Sequence, residues 1–258
     1  MTNRLVRAEM KGTVAWVTID NPPMNALGDQ TKEDLRLAFE ELEIIKGIRV
    51  VVLTGNGKVF VAGSDISKFL QLDGEAAASQ SMKTQRLFRR IETFKLPTIC
   101  AINGYCFGAG LELAACCDIR IASDSAVMGH PEVDLGIVPG AGASQRLPRL
   151  VGLGRAKELI LTGRRITAQE ALQIGLVEKV VSRETLIPES QRLAEVVARK
   201  GQLAVAAAKR VLNEGWDLKI DEGLEMESRE WGKLFDTEDQ KEGARAFLEK
   251  RSPHFRSK

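Results

Sequence analysis

Two glutamates carry the strongest chemical signal in the chain. Glu112 lies in NGYCFGAGLELA and Glu132 in MGHPEVDLGIVPGAGASQR, each in apolar local sequence beside a glycine-rich turn whose backbone amides can come close to a ligand. Two carboxyls sharing an apolar site resist joint ionisation, because desolvation and mutual repulsion act in the same direction. One neutral and one ionised carboxyl can then divide the work of an acid and a base. Gly108-Ala109-Gly110 follows a strand and opens a helix, LELAACC, whose first amides favour negative charge. Glu112 sits in the first turn of that helix, and a helix this apolar all round is expected to be buried.

The elements that must position these residues read as an alternation of strands and helices. TVAWVTI (13–19) is β-branched and aromatic, and it ends at the turn cluster Asp20-Asn21-Pro22-Pro23. Leu35, Ala38, Phe39, Leu42 and Ile45 recur at helical spacing, with Gly47 closing the helix. Residues 49–54 hold the continuous apolar run VVVL, a strand covered on both faces. Residues 66–82 read as a variable excursion, and helical spacing resumes only from Lys83 to Phe94, with Leu87, Ile91 and Phe94 on one side. Leu96-Pro97 then opens the strand TICAI, and CDIRIAS is the next strand. The last third is helical, with capping boxes at Thr167 to Glu170 and Thr237 to Gln240. In it, Leu224, Trp231, Leu234 and Phe235 form an apolar stripe suited to the core or to a subunit interface.

Several functions are excluded or weakened. Gly55-Asn56-Gly57-Lys58 lacks the spacing of a phosphate-binding loop. Gly108-Ala109-Gly110 and the GLGRAK stretch depart from a dinucleotide fingerprint, with Leu113 and Lys157 at its third small position. No G-x-S-x-G is present for a serine hydrolase. Four cysteines without a C-x-x-C pair, and two histidines, argue against zinc and for buried reduced thiols. Lys+Arg 37 against Asp+Glu 35 leaves a net charge of +2, which argues against nucleic acid. Arg86, Arg89 and Arg90 can be an RNA-facing patch or a solvated helix face. The N-terminal stretch lacks the apolar region of a secretory signal and no run approaches a membrane helix, so a cytoplasmic protein is expected. Gly63-Ser64-Asp65 reads either as a turn aiming the Ser64 N–H into a cavity or as a plain tight turn.

Taken together, VAGSDI, NGYCFGAGLELA, CDIRIA and HPEVDLGIVPGAGASQRLPRLVG resemble the enoyl-CoA hydratase/isomerase (crotonase) family, and the likeness runs from NPPMNAL to FLEKR. The resemblance implies an α/β fold, a spiral of ββα repeats over residues 1–195, and a C-terminal helical region (196–258) that builds trimers, usually paired into hexamers. It implies hydration of trans-2-enoyl-CoA to 3-hydroxyacyl-CoA, as in fatty acid β-oxidation, with no cofactor or metal beyond the coenzyme A of the substrate. Isomerisation or specialised dehydration of related thioesters is the alternative chemistry. Position by position, Glu112 and Glu132 match the pair that holds the water, and Ser64 and Ala109 match the two amides that receive the thioester oxygen. Ala109 is tolerable there only with negative φ. Gly140 matches an amide that orients the water. Met24, Ala26, Leu27, Ala62, Ser64, Asp65 and Ile66 match the loops along CoA, and Phe247 and Lys250 match positions reaching a neighbouring subunit's CoA. His130 can tune Glu132 or serve as a structural hydrogen-bonding residue.

Overall fold

The computed structural model describes residues 4–258; the first three residues of the N-terminal stretch lie outside the described residues. In chain order the elements are β1 (Val6–Lys11), β2 (Val14–Ile19), α1 (Asp29–Ile44), β3 (Val50–Gly55), β4 (Val59–Val61), α2 (Gly74–Glu92), β5 (Thr98–Ile102), β6 (Tyr105–Phe107), α3 (Ala109–Ala114), β7 (Ile119–Ser123) and β8 (Val127–Gly129). They continue through α4 (Ala143–Val151), α5 (Leu153–Thr162), β9 (Arg165–Thr167), α6 (Ala168–Gln173), β10 (Lys179–Val181), α7 (Leu186–Ala198), α8 (Gln202–Gly215), α9 (Ile220–Leu234) and α10 (Glu238–Leu248).

Two sheets organise them. The larger has strand order β1-β2-β3-β5-β7-β10 and is parallel except for the β1–β2 hairpin; the smaller has order β4-β6-β8-β9, with β8 and β9 antiparallel. Each of β3, β5 and β7 lies in the large sheet and is followed directly by a strand of the small one, β4, β6 and β8. Three turns of this repeat, each leading on to helical backbone, form the expected ββα spiral. Its consequence for function is geometric. The ends of β4, β6 and β8 lie side by side, so the segments that follow them, carrying Ser64, Ala109 and Glu132, emerge at one edge.

The apolar runs explain why this holds together. Along β3, Val51 and Leu53 face a core shared with Leu35, Phe39, Phe60 and Phe88, while Val50 and Val52 face a second core with Trp16, Ile99 and Leu186. The strand is thus covered on both faces, as its continuous apolar run requires. Truncating a fully buried ring such as Phe39 to alanine would cost about 3–5 kcal/mol. α7 covers the second face, and Trp16 Nε1 donates to Gln191 Oε1 on it at 2.7 Å. This helix runs through residue 195 without a break.

The fold differs from the sequence reading in four places. The chain opens with β1, one strand earlier than expected: its alternation is hidden because only Val6 of the six residues is buried. The excursion at 66–82 is instead a 3-10 turn, Ile66–Gln71, followed by the first half of α2. α2 begins at Gly74 because the Asp73 carboxylate accepts from the Ala76 N–H at 2.8 Å and caps it. The helix LELAACC is shorter, ending at Ala114. The last third also contains β9 and β10. Leu224, Trp231 and Phe235 are exposed on the single chain, so of the two readings of the stripe the core one is set aside. Thr167 and Thr237 do cap α6 and α10, accepting from Glu170 N and Gln240 N.

Candidate active site

Glu112 is positioned by α3, a six-residue helix in which every residue is buried. The helix is preceded by Gly108, whose φ of +52° suits glycine, and a Cβ there would come 3.2 Å from Glu132 Oε1. Gly110 allows α3 to lie against β4, since a Cβ would meet the Val61 carbonyl at 2.1 Å. These two glycines let the backbone carrying Ala109 pass close to both β4 and Glu132.

The Glu112 carboxylate is held from the opposite side. Its Oε1 accepts from Ala141 N at 2.7 Å, in the loop leading into α4, and from Ala143 N at 2.9 Å, at the first residue of that helix. That loop is fixed in turn by Arg146, which donates to the Ala141 carbonyl and forms a two-pronged pair with Glu92 at 2.9 and 2.8 Å. Burial pushes the Glu112 carboxyl above its ordinary value, the neighbouring negative charge of Glu132 adds to this, and the Ala143 and Ala141 amides with His130 pull against it. An oxygen receiving two N–H donors acts only as acceptor, so any proton the group carries belongs on Oε2.

Glu132 comes from a 3-10 turn, Pro131–Leu135, after β8. His130 beside it is buried, and its Nδ1 lies 3.5 Å from Glu132 Oε1, too long for a normal hydrogen bond. Both His130 Nδ1 and Glu132 Oε2 are buried polar atoms without a hydrogen-bond partner among the described residues.

Both glutamates open onto one cleft of about 940 Å³, lined also by Ser64, Ala109 and Gly140. Among the described residues neither the Ser64 nor the Ala109 N–H has an acceptor. Ala109 does not fall among the residues of positive φ, which meets the condition set for it. Two unpaired amides beside two carboxyls can receive a developing oxyanion while protons move nearby.

The remaining positions divide. Met24, Ala26, Ala62, Asp65 and Ile66 line the same cleft. Their two loops are tied together by Ala62 N to Met24 O and Leu27 N to Gly63 O. Leu27 is buried beneath rather than lining it. Phe247 and Lys250, at and beyond the end of α10, do not line the cleft of their own chain. Arg90 pairs with Glu40 and Glu43, and Arg89 with Glu92, so two of the three arginines of that patch are already neutralised within the chain. The four cysteines are buried and free, burial raising the thiols of Cys100, Cys106 and Cys116. Among the described residues no group of three or more His, Cys, Asp or Glu is placed to hold a metal. Among the described residues no helix is long and apolar enough to cross a membrane.

Sequence reasoning did not find Ala141, Ala143, Arg146 and Glu92, which hold Glu112. Only the density of glycines around Ala141 hinted at them.

The enoyl-CoA hydratase/isomerase family model matches residues 9–258. A crotonyl-CoA hydratase of Syntrophomonas wolfei is 45% identical over 97% of this chain and 97% of its own. A short-chain-enoyl-CoA hydratase of Clostridium acetobutylicum is 44% identical over 94% of each. Among solved structures, an enoyl-CoA hydratase from Bacillus anthracis superposes with a TM-score of 0.94 at 37% identity, covering 98% of this chain and 100% of that one. The likeness is therefore end to end in both sequence and fold, and the chain belongs to the enoyl-CoA hydratase/isomerase family, with its crotonase fold.

Proposed function

We propose that the protein is an enoyl-CoA hydratase, a hydro-lyase that adds water reversibly to short trans-2-enoyl-CoA thioesters to give 3-hydroxyacyl-CoA. The observation that carries this reading is the pair of carboxyls, Glu112 and Glu132, opening onto one cleft beside two unpaired amides. The names of the similar hydratases support crotonyl-CoA as the first substrate to try.

In the hydration direction Glu112, ionised, takes a proton from water through Oε2 while the water oxygen bonds to C3. The C2–C3 π electrons move toward the thioester, and the resulting enolate oxygen is held by the Ser64 and Ala109 N–H groups. Glu132, protonated, then gives its proton to C2 as the enolate collapses. Its Oε1 would lie 3.2 Å from a Cβ placed on Gly108, the residue before Ala109, and this nearness supports giving it the α-carbon. Gly140, on the same wall as Ala141, flanks the water. Each donor to the oxyanion is worth about 3–4 kcal/mol by precedent. Addition of water changes no oxidation state overall and asks only for proton transfer and oxyanion donors, so no cofactor enters beyond the CoA of the substrate.

The loops carrying Met24, Ala26, Leu27, Ala62, Asp65 and Ile66 would run along CoA. Phe247 and Lys250, exposed at the end of α10, would serve a neighbouring subunit. The exposed apolar residues on and between α8 and α9, including Leu212, Trp216, Ile220 and Trp231, support assembly into a trimer or a pair of trimers. A cytoplasmic place in fatty acid β-oxidation agrees with this chemistry.

The test is loss of the ultraviolet absorbance of crotonyl-CoA, measured for the wild type beside Glu112→Gln and Glu132→Gln. Rapid loss that collapses in both variants is expected. A wild type that binds CoA but leaves crotonyl-CoA unchanged would overturn the short-chain reading.

A further inference from the structure

The Gly140 carbonyl accepts two side-chain donors from α2: Ser81 Oγ at 2.5 Å and Gln85 Nε2 at 2.9 Å. Gln85 also donates to Ser81 Oγ at 3.2 Å, so the two side chains form one unit. A carbonyl oxygen has two lone pairs, and both are engaged here. That carbonyl belongs to the same peptide group as the Ala141 N–H, which donates to Glu112 Oε1 at 2.7 Å. The peptide is trans, since Pro22-Pro23 is the cis bond among the described residues. In a planar trans peptide the C=O and N–H point in opposite directions. Fixing the carbonyl toward α2 therefore aims the amide at Glu112.

We propose that Ser81 and Gln85 are positioning residues for Glu112: by gripping the Gly140 carbonyl they orient and polarise the peptide whose N–H holds that carboxylate. The inference rests on the proposed hydratase reading for its catalytic meaning, but the arrangement itself is independent of substrate. Donors on the carbonyl oxygen also strengthen the N–H of the same peptide as a donor. Ser81 lines the cleft, so the grip lies where an acyl group would pass.

Loss of the grip leaves the Ala141 amide free to turn away, which weakens stabilisation of ionised Glu112. The other groups acting on Glu112 stay in place: His130 and Glu132 beside the cleft, Arg146 with its partner Glu92, and Cys116 on the following turn. The direction of change is thus upward in the Glu112 titration midpoint.

The experiment follows that midpoint by ¹³C NMR of side-chain carboxyl-labelled glutamate in the whole protein, assigned with Glu112→Gln. It compares wild type, Ser81→Ala/Gln85→Ala and Ser81→Thr. Both sites are partly or fully solvent-facing on a helix, and alanine suits a helix well. In the double variant the midpoint is expected to rise by about 0.5–1 pH unit, the scale of one weakened hydrogen bond to a charged group. Crotonyl-CoA kcat should fall roughly 10-fold with its acid limb displaced the same way. Ser81→Thr, which keeps the hydroxyl, should restore both. An unmoved midpoint in the double variant, or a threonine variant as shifted as the alanine, would overturn the proposal. Should the wild type fail to hydrate crotonyl-CoA, the NMR midpoint still decides the role of Ser81 and Gln85, separately from the hydratase reading.

Discussion

The two walls of the cleft differ in how completely they are built before any ligand arrives. Around Glu112 the polar groups are paired in succession: α2 to the Gly140 carbonyl, Ala141 and Ala143 to the carboxylate, Arg146 to Ala141 and Glu92. Around Glu132 two buried polar atoms have no partner among the described residues. Buried polar atoms cost stability unless they are paired, so on this wall the protein's own groups leave hydrogen-bonding capacity unused. The first wall is prepared for one charge state at one position. The second keeps unused hydrogen-bonding capacity at Glu132 and His130.

The largest effect that bears on this contrast is loss of either carboxyl. Glu112→Gln and Glu132→Gln should each lower kcat by about 10²–10⁴-fold, read from the crotonyl-CoA absorbance. Retention of near wild-type turnover by either variant would break the division between the walls. Next comes the joint between them. Gly110→Ala places a Cβ 2.1 Å from the Val61 carbonyl. It should destabilise the fold by about 1–3 kcal/mol in chemical denaturation, because backbone has to move.

A pH-dependent effect tests the prepared wall alone. Glu112 in the fold has its midpoint above the ordinary glutamate value of 4.5. The folded state therefore binds more protons than the unfolded state in that interval. The contribution of Glu112 to stability is complete below 4.5 and is lost as pH rises through the folded midpoint. Glu112→Gln should then melt above the wild type at neutral pH, by about 2–4 °C for each kcal/mol relieved, with the gap closing toward acid. A gap that is the same at every pH would place the buried charge elsewhere. The smallest effect is at the outer edge of the same wall: Asp73→Ala removes the cap of α2 and should cost about 1 kcal/mol of stability.

The same contrast governs what was legible in the sequence. β2, β3 and β5 were readable because strands buried on both faces leave nearly continuous apolar runs, and β7 was readable from Ile119, Ile121 and Ala122 around Arg120. Glu112 and Glu132 were readable because a carboxyl amid apolar residues has few structural uses. β1 was hidden, since five of its six residues are exposed. β4, β6, β8, β9 and β10 have three residues each, too few to show a period of two. The first half of α2 carries no apolar stripe, because its face toward the cleft is made of Gly74, Ala77, Ala78 and Ser81, small residues, together with the polar Gln80. The grip of Ser81 on Gly140 joins positions 59 residues apart through a backbone oxygen, and no local pattern encodes such a contact. Residue-by-residue resemblance named Glu112, Glu132, Ser64 and Ala109, which line one cleft; the supports behind them became visible only in three dimensions.

The two walls thus have separate roles in the proposed reaction, Glu132 exchanging a proton with C2 and Glu112 with water. Butyryl-CoA has no double bond to hydrate and so isolates the role of Glu132. In D₂O its C2 protons should exchange on the enzyme, which proton NMR follows directly. Glu112→Gln should retain most of this exchange and Glu132→Gln should lose it. Exchange lost in Glu112→Gln and kept in Glu132→Gln would contradict the assignment of the two carboxyls.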